Sequence, residues 1–323
     1  MRYKALGTEG LLIAVGLSCA MSAVAMFVGG PVQNPEDFGL CLYSPNLWTI
    51  SPLWSWILNL TLIVGIGVTL HFFNKTYSLV QDTDTVLPAL FMVMCASLTW
   101  IDSLLSSSLV MALLNVIALY LMFGCYRDLN ATRQIFVVGT IISIGSMFQY
   151  SYVFLIPAYL IIAGMMKCLR FREFIAFLMG LAAPYWVGIG LGIIPLDSFH
   201  LPEFHYPFES FVTKKGMLVG MLNIGITALL SILFALGNAV KLYAGNSQRR
   251  LYNNSVMTLG LTAVLCMVFD SDNLTAYAAT FYLTAAVQFA NVFALKNVRH
   301  GAGWMTFAFM AYAAMFTLMF LGF

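Results

Sequence analysis

The chain has 323 residues, 61% of them hydrophobic and only 9% charged, with a mean hydropathy of +0.89 and a formal net charge of +2. Soluble proteins carry roughly 25% charged residues, so the composition excludes a water-soluble domain and points to lipid as the main solvent, where backbone polar groups must be satisfied inside helices. The small net charge and scattered basic residues exclude a nucleic-acid partner.

Runs of about 15 to 25 apolar residues, read as spans in chain order, predict an all-α polytopic integral membrane bundle of about eleven transmembrane helices. The first span covers residues 10–29. Arg2 and Lys4 precede it, and Ala23-Val24-Ala25 lies within it. We read it as a retained span instead of a cleaved signal peptide, because the sequence begins at Met1.

The first long loop, residues 30–52, follows. It holds the adjacent carboxylates Glu36 and Asp37, then Cys41. Spans at 53–73, 86–101 and 104–125 come next, the last two forming a tight hairpin that turns at Asp102. A second hairpin covers 135–150 and 152–166, and a further span covers 174–194.

The second long loop, residues 195–215, mixes Phe199, Phe204, Phe208 and Phe211 with His200, His205 and three carboxylates, and ends on Lys214 and Lys215. The remaining spans are 216–240, 256–270, 274–294 and 303–323, with a short acidic turn from Asp270 to Asn273. The whole chain, 1–323, reads as one transmembrane domain with no separate soluble domain.

Orientation follows from the basic residues. With the N-terminus in the cytoplasm, thirteen of the fifteen Lys and Arg residues fall on the inner side, and only Lys214 and Lys215 fall outside. This asymmetry is the positive-inside signature, and it places the C-terminus on the far side. Eight of the thirteen acidic residues fall outside, so the longer, acidic and aromatic outer loops are where polar chemistry is expected.

Each candidate group has a functional and a plain reading. Glu36 and Asp37 suit a general base or a cation ligand, or a solvated loop. His200, Glu203 and His205 match no standard zinc spacing, and the aromatic segment around them suits a surface-lying loop, so no metal site is expected. Lys214 and Lys215 suit a lipid phosphate, or ordinary snorkelling at a helix end. Within the spans, Asn59, Asn115, Asn223, Gln288 and Asn291 are the notable polar residues. No ionisable residue falls at mid-membrane depth, which argues against an ion relay. Asp102 and Asp272 are expected at the outer boundary, wetted or paired. The six cysteines form no CxxC pair, so neither a disulfide framework nor redox chemistry is expected.

From about Asn74 to Gly192, the hairpin around Asp102, Tyr126-Arg127-Asp128-Leu129, Gly139, Gly145, Pro157, Phe171-Arg172-Glu173-Phe174 and Pro184 give an architecture that resembles polyprenyl-phosphate-sugar glycosyltransferases of the GT-C type. The same stretch resembles an uncharacterised family of bacterial inner-membrane proteins. The resemblance implies a catalytic carboxylate in the first outer loop, carried here by Glu36 or Asp37. Asp102, His200, His205, Lys214 and Lys215 would then bind substrate. A divalent cation is the one cofactor such chemistry would call on. The expected partners are membrane lipids, a polyprenyl-phosphate-linked sugar and other membrane proteins, at the extracytoplasmic face of a bacterial cytoplasmic membrane. Two other classes stay open: a non-catalytic subunit of a larger assembly, and a lipid or solute transporter.

Overall fold

The computed structural model describes residues 8–30, 39–80, 83–128, 130–195, 199, 215–243, 247–294 and 301–321. Among them every regular element is helical. Seven helices are long and apolar enough to cross a membrane: α1 (Thr8–Phe27), α2 (Pro52–Tyr77), α5 (Ser107–Gly124), α8 (Phe171–Gly190), α9 (Lys215–Tyr243), α10 (Ser247–Phe269) and α12 (Gly301–Leu321). By length and composition this is a multi-pass membrane protein. Between them lie α3 (Val86–Ala96), the single turn α4 (Thr99–Asp102), α6 (Thr132–Phe148), α7 (Ile156–Met165) and α11 (Leu274–Phe293).

The burial pattern says how these helices are layered. Every residue of α3 is buried, as are most of α11, so these two form the centre. A helix apolar on all sides gains nothing from an amphipathic orientation and is stable only inside such a core or in lipid. The outer helices expose their large apolar residues instead, including Leu229, Leu233 and Leu236 on α9 and Phe307, Met310 and Leu321 on α12. In water that would be an aggregating surface; against acyl chains it is the expected one.

Side-chain contacts fix the direction of each pass. At one end, Tyr77 of α2 donates to the Tyr120 carbonyl of α5 at 2.9 Å, Asn74 donates to the Thr83 carbonyl just before α3, and Tyr252 of α10 stacks on Phe123. This end carries Arg127, Lys167, Arg170, Arg172 and Arg249, and is called the basic end. At the opposite end, Asn59 of α2 meets the Ile101 carbonyl, and Asn223 of α9 donates to Ser97 at 2.8 Å. α2 and α5 therefore both run from this end to the basic end, and α3 returns between them. Several polar side chains buried between helices pair with one another. Asn115 accepts from Tyr159 at 2.6 Å and donates to Thr280, and Gln288 joins Asn253 to Asn238.

Helices α6 and α8 pack closely through facing glycines. A Cβ on Gly180 would stand 2.2 Å from the Phe136 carbonyl oxygen, and one on Gly139 would stand 2.5 Å from the Phe177 carbonyl oxygen. Two backbones approach this closely only through small residues.

Candidate functional site

The turn joining α3 to α5 lies inside the bundle, not at its surface. Asn59 sits seven residues from the start of α2, about 10 Å along the helix, and every residue from Leu98 to Ser108 is buried. Non-helical backbone at this depth is stable only if protein groups replace water as hydrogen-bond partners. The Asn59 amide donates to the Ile101 carbonyl at 2.7 Å while its oxygen accepts from the Ser106 N–H at 3.1 Å. Ser55 accepts from Leu105 N–H, Asn46 accepts from Ser107 N–H, and Ser106 caps α5 through Ser108 N–H. The free N–H groups at the start of α5 are thus supplied from α2, from the 3₁₀ turn at Pro45–Leu47, and from α5's own cap.

Asp102 ends α4 in the middle of this arrangement. It is 0% exposed, and neither carboxylate oxygen has a hydrogen-bond partner among the described residues. The Thr99 hydroxyl, one turn earlier, is also buried and unpartnered. Ser22 of α1 donates to the Asp102 backbone carbonyl at 3.2 Å and accepts from Trp56 at 2.9 Å. The sequence reading had put Asp102 at a wetted or paired outer boundary. Its carboxyl group is instead fully buried with no hydrogen bond among the described residues, because the turn is recessed and Ser22, Asn59 and Ser55 beside it bond to backbone groups of the turn.

A second polar cluster closes the same end of the bundle. Asp270, after α10, accepts from Tyr150 at 2.9 Å, Tyr277 at 2.8 Å and Asn273 at 3.2 Å. Asn273 also donates to the Tyr150 hydroxyl and accepts from Gln149, which in turn is the partner of Ser44. This carboxylate is fully satisfied, and it ties the 3₁₀ turn at Tyr150–Leu155 to the α10–α11 turn. The sequence reading named the Asp270 turn but not its tyrosines. The signal was there in Gln149-Tyr150-Ser151, three polar residues dividing two apolar runs.

A lateral groove of about 500 Å³ opens between α9, α10 and α11. Its rim, including Ile232, Leu236 and Leu261, is apolar and exposed, while Ser231, Thr284 and Gln288 line its inner wall. No carboxylate lines it among the described residues. At the basic end, Cys125 and Cys168 meet where the α5–α6 turn packs on the α7–α8 turn, through the Arg127 N–H to Met166 carbonyl bond of 3.0 Å. The hydrogen bond with Cys168, together with burial, pushes the Cys125 thiol up. A thiol so shifted stays protonated and is a poor nucleophile.

Of the other sequence-predicted site residues, Glu36, Asp37, His200, His205 and Lys214 lie outside the described residues. So do the side chains of Lys215, which opens α9, and of Asp272. Among the described residues no group of three or more His, Cys, Asp or Glu is placed to hold a metal ion. No family model matches the chain, and neither characterised proteins nor solved structures give a match.

Proposed function

We propose that the chain is a GT-C-like glycosyltransferase, or a relative of one, acting on a lipid-linked sugar at the extracytoplasmic face of a bacterial cytoplasmic membrane. In this reading about eleven helices span the bilayer, the seven long ones together with the three shorter apolar helices and α11. The basic end faces the cytoplasm, in keeping with the positive-inside rule.

The lateral groove is the observation that carries the reading. It offers an apolar, side-open channel for an isoprenoid chain. Its upper residue Val264 stands six positions before Asp270, about 9 Å along the helix, beneath the end that bears both long loops. A polyprenyl tail in the groove would leave its phosphate and sugar among those loops. There Lys214 and Lys215 would bind the phosphate, His200 and His205 would contact the sugar or its acceptor, and Glu36 or Asp37 would deprotonate the acceptor hydroxyl or hold a divalent cation, while Asp102, 0% exposed, lies out of reach of such a substrate.

The test is transfer of radiolabelled sugar from polyprenyl-phosphate donors by the purified protein. Replacing Glu36 and Asp37 together by Ala should abolish transfer while the protein stays folded. Ala228→Trp, which fills the groove, should raise KM for a long-chain donor and leave a short-chain donor unaffected. Absence of transfer by the native protein would transfer the weight to a non-catalytic subunit. A transporter is the second reading, favoured by one feature, the buried interruption between α3 and α5; it would show as flux of substrate across proteoliposomes without chemical change.

A further inference from the structure

Among the described residues, Asp102 is a fully buried carboxyl group whose burial the preceding reading leaves structurally unexplained. A carboxylate in a low-dielectric interior is strongly destabilised unless an opposite charge or hydrogen-bond donors compensate it. Asp270 shows how this chain handles that demand, with donors from four side chains, Tyr150, Tyr277, Asn273 and Ser151. No donor meets hydrogen-bond geometry with the Asp102 carboxyl oxygens among the described residues, the Ser22 hydroxyl beside them being bonded to the Asp102 carbonyl, and no salt bridge reaches it there. Its titratable neighbours are the thiols Cys19 on α1 and Cys95 on α3, which add no positive charge. The Thr99 hydroxyl stands at i−3 on the same short helix, where side chains share a face, and it too lacks a partner. Ser22 Oγ, already donating to the Asp102 carbonyl, has further lone-pair capacity toward the same spot.

We propose that Asp102 and Thr99, with Ser22 beside them, form a buried binding site for a single small monovalent cation. The chemistry selects this class of ligand. All the unpartnered donors are oxygens, which suit hard cations. One carboxylate neutralises one positive charge, whereas a divalent ion would leave an uncompensated charge in the core. The site is closed, with Asp102 at 0% exposure, which favours a small dehydrated ion. It lies one to two helical turns below the end of α1, since Ser22 precedes Phe27 by five residues, about 8 Å. The proposal stands apart from the glycosyltransferase reading and holds equally for a transporter.

The experiment uses the full-length protein purified in choline chloride. Binding of ²²Na⁺ is measured by scintillation proximity, and Tm is compared in NaCl and choline chloride at equal ionic strength. The site predicts saturable binding of roughly one Na⁺ per chain and a Tm that rises with Na⁺ concentration but not with choline. Asp102→Asn and Thr99→Val should each weaken binding, Asp102→Asn by at least about tenfold, while Thr61→Val, on an exposed face of α2, should not. The proposal is overturned if the native chain binds no ²²Na⁺, or if Asp102→Asn binds it as well as the native chain. A Tm that follows pH but ignores the identity of the salt would also overturn it, because the carboxyl would then hold a proton. If Asp102→Asn does not fold, the native chain's ²²Na⁺ binding and the Thr99→Val variant decide.

Discussion

Asn59 shows how much a single side chain can hold in place when water is absent. Its amide satisfies one carbonyl and one N–H of a backbone turn that no solvent reaches. Removing it leaves both orphaned, and each buried unsatisfied group costs about 1 to 3 kcal/mol. Asn59→Ala should therefore destabilise the protein by roughly 2 to 6 kcal/mol in a denaturation series in detergent. Thr61→Ala, whose hydroxyl only bonds back to its own helix on an exposed face, should change stability by less than about 0.5 kcal/mol. Equal effects would mean that the turn is held by something other than Asn59. The sequence reading picked out Asn59 as a polar residue in an apolar span but gave it no partner, because a hydrogen bond to a residue 42 positions away leaves no trace in local composition. Tyr277→Phe tests the neighbouring cluster in the same way. It removes one of the Asp270 donors, and should cost about 1 to 3 kcal/mol without changing the helix content seen by circular dichroism.

At the scale of elements, the pairing of α6 with α8 is set by two glycines. Gly180→Ala would drive a methyl group into the Phe136 carbonyl and force the helices apart, with an overpacking cost of about 1 to 3 kcal/mol. Gly225→Ala on α9 meets open space and should be neutral or slightly stabilising, since alanine favours helix over glycine by up to about 1 kcal/mol. The Tm of the two variants checks this, and a similar loss in both would remove the close-approach argument. Element existence was largely legible from apolar runs: the read segments at 53–73, 174–194, 216–240, 274–294 and 303–323 each fall on an observed helix. What the runs hid was where helices begin and break. α10 starts at Ser247, nine residues before the apolar run at 256, because Gln248, Arg249 and Asn253 continue the helix while bonding to Tyr252, the Ser78 carbonyl and Gln288. Conversely, the run at 86–101 reads as one helix, yet α3 stops at Ala96 and a separate turn carries Thr99–Asp102. Hydropathy reports burial, and burial continues unbroken through that interruption.

For the molecule as a whole, the account rests on polarity between two ends. The basic end is knit by aromatic and arginine contacts such as Arg249 to the Ser78 carbonyl at 2.7 Å. The opposite end gathers the recessed turn at Asp102, the Asp270 cluster and the described part of the first loop, residues 39–51. The charge asymmetry was legible in sequence because basic residues near helix ends report topology directly. The recessed polar layer was not, since it arises from tertiary contacts between α1, α2, α5 and the turns before α7 and α11. The most direct test is single-cysteine labelling in intact cells with a membrane-impermeant maleimide, in a background lacking the six native cysteines. Cysteines at Asn34 and Ser210 should label from outside, and cysteines at Asn130 and Ser247 only after the membrane is permeabilised. Labelling of Asn130 and Ser247 in intact cells, with Asn34 and Ser210 protected, would contradict the account and put the candidate site on the cytoplasmic side.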